Sequence, residues 1–251
     1  MSAQPSYYLD YISKNAGVVA AFLVLILSLL VAYDAVMRYL FSEGSIALQE
    51  AEWHLFDAIF LLGLTYALKH DKHVRVDIFF ERYSKESRAI VQILSMLLLV
   101  IPFSLVFLAD SIHMFMQSYL QHEISSDPGG LTHRYIIKGV LVLSFVLLII
   151  QALSEILKAL DRLESKRTLM RVLGVVILLG VLVYTADHYD MAYWAEPILL
   201  MFALTLFLLM AGFQVAFVFA GVALLFALID NDVGLATLEM LPYRTYGIMG
   251  N

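Results

Sequence analysis

Six residues in the first half of the chain have the types and spacing to handle an ion or a proton: Arg38, Glu50, His54, Asp57, Asp110 and His113. Asp57, Asp110 and His113 fall inside long apolar stretches, where an ionisable group is costly and counts as functional by default. Glu50, His54 and Asp57 recur at i, i+4 and i+7, which puts them along one side of a helix. Paired with one another and with Arg38, the six form a polar cluster that locks helices together. Left unpaired, they hold a coupling ion or proton, or meet a partner subunit. His54 and His113 also raise a haem reading, because two histidines from two helices can hold haem iron. Their carboxylate neighbours favour hydrogen bonding instead, so no cofactor is expected. His70, His73, Asp71 and Asp77 are metal-ligand types, but Lys69, Lys72, Arg75, Arg82, Lys85 and Arg88 surround them and oppose a cation. A solvated loop without metal is expected there. Within it Val74, Val76 and Ile78 alternate with His73, Arg75 and Asp77, the period of an extended segment.

Other chemistries find no support. The chain has no cysteine, which excludes disulfides, thiolate metal sites and cysteine nucleophiles. No Ser-His-Asp order, glycine-rich phosphate loop or paired catalytic carboxylates fall on elements that would support them, so no enzyme is expected. The basic residues lie in short loops, so no nucleic-acid partner is expected either.

The elements that must position these residues are membrane helices. Of 251 residues 61% are hydrophobic and 15% charged, with a mean hydropathy of +0.83; a soluble domain carries about 25% charged residues. The apolar residues come in long blocks, each near the roughly 20 residues that cross a bilayer. An all-α membrane protein follows, with the lipid bilayer as its first partner. The spacing predicts a first span over Gly17–Val36, retained and not cleaved as a signal. Asp34 and Arg38 at i and i+4 can pair near its end. Ser42 to Ser45 breaks the helix, with Gly44 permissive and Ser45 as N-cap of the next. Ser45 to His54 reads as an amphipathic helix on the membrane surface with Trp53 at headgroup level, and Leu55 to Leu68 as the second span. Span three covers Ile90–Met116, with a kink expected at Pro102. Span four covers Tyr135–Leu157.

The distribution of Lys and Arg orients these spans. Six positive residues between Lys69 and Arg88 place that loop in the cytoplasm, and Lys158, Arg162, Lys166, Arg167 and Arg171 do the same after span four. The N-terminus is then cytoplasmic. The loop Gln117–Arg134 lies outside, with a turn at Asp127-Pro128-Gly129-Gly130. The six candidate residues lie towards that outer side. The chain divides into a four-span domain over 1–160, a polar linker and connecting span (Leu169 to Ala186) over 161–191, and a third part over 192–251. The apolar run Ala192–Ile229 suits two short helices turning at Gly212-Phe213-Gln214, for seven spans in all.

Motifs along residues 38–160 carry a family resemblance. They are Arg38-Tyr39-Leu40-Phe41; Gly44-Ser45-Ile46-Ala47-Leu48-Gln49-Glu50; Glu52-Trp53-His54-Leu55-Phe56; Leu61-Leu62-Gly63; His73-Val74-Arg75-Val76-Asp77; and the Asp127-Pro128-Gly129-Gly130 turn. In this order and spacing they resemble the small (Q) membrane subunit of tripartite ATP-independent periplasmic (TRAP) transporters. The resemblance implies a four-span subunit in the bacterial inner membrane that scaffolds a large (M) transport subunit. It also implies a periplasmic binding protein that delivers an organic acid, and uptake driven by a sodium gradient. The small subunit does not itself bind substrate in that scheme. Residues 192–251 resemble the start of the large subunit, whose early hairpin carries a Gly-x-Pro turn; Gln214 stands in place of that proline. The resemblance therefore implies a fusion of small and large subunits that is truncated or interrupted at Asn251. The reading from another class is a membrane anchor of a respiratory complex, possessing or lacking haem.

Overall fold

The computed structural model describes residues 5–163 and 197–229, and between them positions 170, 172, 174, 177, 178 and 181. The expected connecting span at Leu169–Ala186 is met only at those scattered positions, all of them helical, and the amphipathic piece after Asp230 lies outside the described residues.

The elements are helical throughout. Helix α1 runs Pro5–Leu40, α2 Ile46–Lys69, α3 Asp77–Phe80, α4 Lys85–Ser95, α5 Ile101–Leu120, α6 Tyr135–Leu160, α7 Pro197–Met210 and α8 Val215–Ile229. Among the described residues three stretches are long and apolar enough to cross a membrane: Ser6–Leu40, Lys85–Leu120 and Tyr135–Leu160. The chain is an all-α membrane protein. Apolar side chains along α1, such as Phe22, Leu25 and Leu29, are exposed, as lipid-facing residues are.

Helix α2 is not among the three, because Glu50, Glu52 and Asp57 dilute its first half. Its 24 residues still make a rod of about 36 Å, longer than a hydrocarbon core of about 30 Å. Its neighbours give its course. At one end Lys69 Nζ donates to the Asp10 carbonyl at 2.8 Å. Further along, Tyr66 lies against Gly17, leaving no room there for a Cβ, and Leu62 packs with Ala16, Ala20 and Leu147. The Ser144 hydroxyl donates to the Leu61 carbonyl at 2.7 Å. So α2 runs antiparallel to α1 and parallel to α6, alongside two membrane-length helices. Alanines at 16 and 20 bring the backbones close, as small residues do between membrane helices.

Where α1 stops, Ser42 takes the left-handed conformation (φ 56°), so the turn bends there and not at Gly44. Ser45 is the N-cap of α2, its side chain accepting from Leu48 N at 3.4 Å. Between α4 and α5 the helix widens into a π turn over Met96–Val100. The cause is Pro102: it has no N–H for the Leu98 carbonyl, and its ring would crowd that carbonyl. The Ile101 N–H reaches back to Met96 O instead, and the ladder resumes one residue out of step. The helix absorbs the proline through this turn.

The described residues form two compact units. One contains Asp10–His70 and Phe107–Leu148; the other contains Pro5–Leu9, Asp71–Val106 and the residues from Ile149 on. In the first, the α1–α2–α6 contacts above are joined by Phe107 against Phe145, ring centroids 5.2 Å apart. In the second, Ala89, Ile93, Ala159 and Val172 form a core. Beside it the buried Glu155 accepts from Gln151 Nε2 at 2.8 Å and pairs with Lys158, and Gln92 Nε2 reaches it at 3.4 Å. Helices α7 and α8 form a hairpin in this unit, with α8 against the π turn.

Candidate functional site

The most developed polar site is built around Glu50. It lies in the first turns of α2, where the Ser45 cap fixes the start of the helix. Its residue is buried, at 6% exposure, and its carboxylate faces the loop between α5 and α6. One oxygen accepts from Ser125 Oγ at 2.5 Å, and the other from the Leu131 backbone N–H at 2.5 Å. Burial by itself would raise the Glu50 carboxyl. The two hydrogen bonds and the positive charge of Arg134 outweigh it and hold the group below the ordinary carboxylate range.

That loop is shaped to meet the carboxylate. Gly130 N donates to Asp127 O at 2.9 Å. Pro128 occupies the second position and Gly129 the third with φ 84°, the type II turn that requires glycine there. Asp127 N donates to Ser125 Oγ at 3.1 Å, and Ser125 N to Leu131 O at 2.9 Å. Gly130 has a different constraint: a Cβ on it would sit 2.5 Å from Ser125 Oγ and 2.8 Å from Glu50 Oε2. The loop is closed below the turn by Arg134 N donating to Glu123 O at 3.1 Å and by a Lys138–Glu123 ion pair. Burial opposes ionisation of Glu123, but Lys138 and Ser118 together hold its carboxyl below the ordinary range.

One turn along α2, Trp53 stacks on His54 at 3.9 Å between centroids, and the Arg134 guanidinium lies 5.5 Å over the Trp53 ring. His54 Nδ1 stands 2.6 Å from the Glu50 carbonyl. A carbonyl only accepts, so Nδ1 carries the proton and donates, and burial holds the imidazole below the ordinary range. The quoted motif residues Glu50, Trp53 and Asp127 to Gly130 thus form one clasp. Sequence reasoning missed Ser125, Leu131 and Arg134. Ser125 carried a signal, two residues before Asp127 in the position of a serine turn.

The remaining candidates are placed as follows. Arg38 pairs with the buried Asp34, its own i–4 neighbour. Asp57 is fully buried, and neither carboxylate oxygen has a hydrogen-bond partner among the described residues. Asp110 is half-buried and His113 exposed. The geometry therefore joins Glu50 to His54 and gives Arg38 a separate partner. Gln49 is exposed, and a Cβ on Gly63 would meet nothing within 4 Å among the described residues. No group of three or more His, Asp or Glu suited to a metal occurs among the described residues.

The His73-Val74-Arg75-Val76-Asp77 motif lies at the other end of α2. Asp77 opens α3, so Ile78 is helical, and only the middle of the motif is extended. Arg75 forms an isolated antiparallel bridge with Gln214. Its side chain is 8% exposed, paired with Asp71 and lying 4.5 Å over the Phe80 ring. His73 meets Phe217 edge-on at 5.0 Å. The expected solvated loop is thus solvated at Asp71, Lys72 and Asp77 and packed at Arg75.

A family model described as "Tripartite ATP-independent periplasmic transporters, DctQ component" matches residues 27–162, more than half of the 251 residues. The match takes in the Glu50 clasp and the Arg75 motif, and it ends before α7. No curated protein matches the chain.

Proposed function

The chain belongs to the DctQ family of TRAP transporter components, and from that premise we propose that it is the membrane scaffold of an uptake system for organic acids. Its partners are a large membrane subunit that carries the substrate site and a periplasmic substrate-binding protein. A sodium gradient drives the symport. The chain sits in the bacterial inner membrane with its N-terminus in the cytoplasm, so the Glu50 clasp faces the periplasm and the Arg75 motif faces the cytoplasm. Residues 192–251 are the start of a large-subunit-like part joined through the span at 161–191.

The observation that carries this reading is the use to which Glu50 is put. Both carboxylate oxygens are engaged by the chain's own Ser125 and Leu131, which leaves the charge no role in holding a substrate carboxylate, a like charge that it would repel. The motif residues around it fasten a loop to a helix, as a scaffold needs. The test is co-purification from membranes followed by uptake of a labelled C4-dicarboxylate into vesicles under an inward sodium gradient. The expected outcome is capture of a large polytopic subunit and uptake that requires the periplasmic protein. Capture of neither partner overturns the proposal.

A further inference from the structure

The family match stops at residue 162, yet residues 71–80 inside it are completed by residues outside it. The Val215 N–H donates to the Val74 carbonyl at 2.9 Å, and Arg75 and Gln214 stand opposite each other as an antiparallel pair. Gln214 Nε2 reaches Asp71 at 3.4 Å, and Phe217 lies against His73. Gly212 has φ 86°, and a Cβ on it would fall 2.8 Å from both Cβ and Cδ2 of Phe80. Both its conformation and its surroundings therefore demand glycine. Phe80 is held in place to make this slot: the guanidinium groups of Arg75 and Arg88 lie 4.5 and 5.5 Å over its ring. Further along the hairpin, a Cβ on Gly221 would fall 2.4 Å from Leu99 Cδ2 in the π turn.

The division of labour within Arg75 is informative. Its side chain turns back on Asp71 and Phe80 and builds the wall of the slot. Its backbone edge is left to pair. Main-chain pairing gives affinity that tolerates changes in the partner's side chains, while a pocket that admits one residue type gives specificity.

We propose that Asp71–Phe80 is a receptor for the tip of a two-helix membrane hairpin. It reads the backbone of the turn and accepts only glycine at position 212. This contact, alongside the packing of α8 on the π turn, holds α7 and α8 to the four-span region without need of the covalent connection through 161–191. The proposal deepens the reading of residues 192–251 as the start of a transport unit and rests on it for the identity of the partner.

The test uses the full chain with an N-terminal tag and a protease site inserted at 187–190, so that Val172, which packs with Ala89, Ile93 and Ala159, stays on the tagged fragment. After solubilisation in mild detergent and cleavage, the C-terminal fragment stays with the tagged fragment. Gly212→Val lowers the fraction retained at least tenfold, whereas Gln214→Ala changes it less than twofold. Because the chain has no cysteine, Arg75→Cys with Gln214→Cys gives a readout that needs no loss of folding. An antiparallel pair of the non-hydrogen-bonded kind has Cα atoms about 4.5 Å apart, within disulfide range of about 4.4–6.8 Å. Oxidation joins the two fragments until reductant is added. Release of the unmodified fragment on cleavage, equal retention of Gly212→Val, or no cross-link between cysteines that both react with maleimide overturns the receptor. A released fragment alongside normal capture of the periplasmic protein removes the receptor and leaves the transporter role standing. The opposite pattern removes the transporter role alone.

Discussion

Replacing Glu50 by alanine should release the loop at 121–134. Two donors lose their acceptor: Ser125 Oγ and Leu131 N, each at 2.5 Å. A buried donor left unmade costs about 1–3 kcal/mol. Ser125 is half-buried and its hydroxyl can rotate towards water, so the lower end applies to it, and the sum is about 2–4 kcal/mol. Since about 1.4 kcal/mol is a factor of ten, the loop opens about 30 to 1,000 times more often. Glu50→Gln behaves differently. Its amide oxygen can accept from Leu131 N while its NH2 donates to Ser125 Oγ, so only the charge assistance is lost, about 1 kcal/mol. Trypsin cleavage after Arg134 reports the opening, because Arg134 is held by its backbone bond to Glu123 and its place over Trp53. Cleavage should accelerate strongly in Glu50→Ala and less than tenfold in Glu50→Gln. Gly130→Ala should also open the loop, and by less in the Glu50→Ala background than alone, because the carboxylate that its methyl strikes is gone. An unchanged cleavage rate in Glu50→Ala, or strict additivity of the two substitutions, refutes the clasp.

Three further outcomes can be checked with the same protein. Glu50 and Glu123 are both held below the ordinary carboxylate range; the stability they contribute is present above the unfolded value of about 4.3 and lost as pH falls through their lowered values. Thermal unfolding followed from pH 6 to pH 3 should show the midpoint dropping below about pH 4.3, with a shallower drop in Glu50→Gln. Asp57→Asn should leave the midpoint unchanged or raise it, because a buried carboxylate with no hydrogen-bond partner among the described residues costs solvation and returns nothing; a fall of more than about 4 °C, about 1–2 kcal/mol at this size, would reveal a partner that the clasp residues do not supply. Gln214→Pro should keep fragment retention within twofold of the unmodified chain, since no backbone hydrogen bond from Gln214 N occurs among the described residues; a complete loss would mean that the turn depends on that N–H.

The spans were legible because a bilayer imposes one length and one solvent on every crossing. The Asp34–Arg38 pair and the Ser45 cap were legible because each depends on residues three or four apart. Glu50 was legible as a motif residue and as a member of a polar cluster, but not as the clasp of the Asp127–Gly130 turn. Its partners lie 75 and 81 residues away, and no periodicity connects a helix N-terminus to a loop at that separation. The same holds for Arg75. Its basic neighbourhood reads as a solvated loop, and what packs it is a turn 139 residues further on, 214 − 75. Pro102 was legible as a disturbance, but not its form, a π turn over Met96–Val100 against which α8 packs.

The π turn at Met96–Val100 has a consequence for how the long helix Lys85–Leu120 is written. One extra residue in a turn rotates everything after it by about 100° relative to an unbroken α-helix. The apolar stripe before Met96 and the stripe after Val100 are therefore in different phases, and each can be tuned to its own neighbours without constraining the other. Deleting a single residue between Leu97 and Leu99 would not restore an unbroken ladder, because Pro102 would still lack an N–H and its ring would still crowd the carbonyl four residues before it. It would swing one stripe a quarter-turn away from what it packs against.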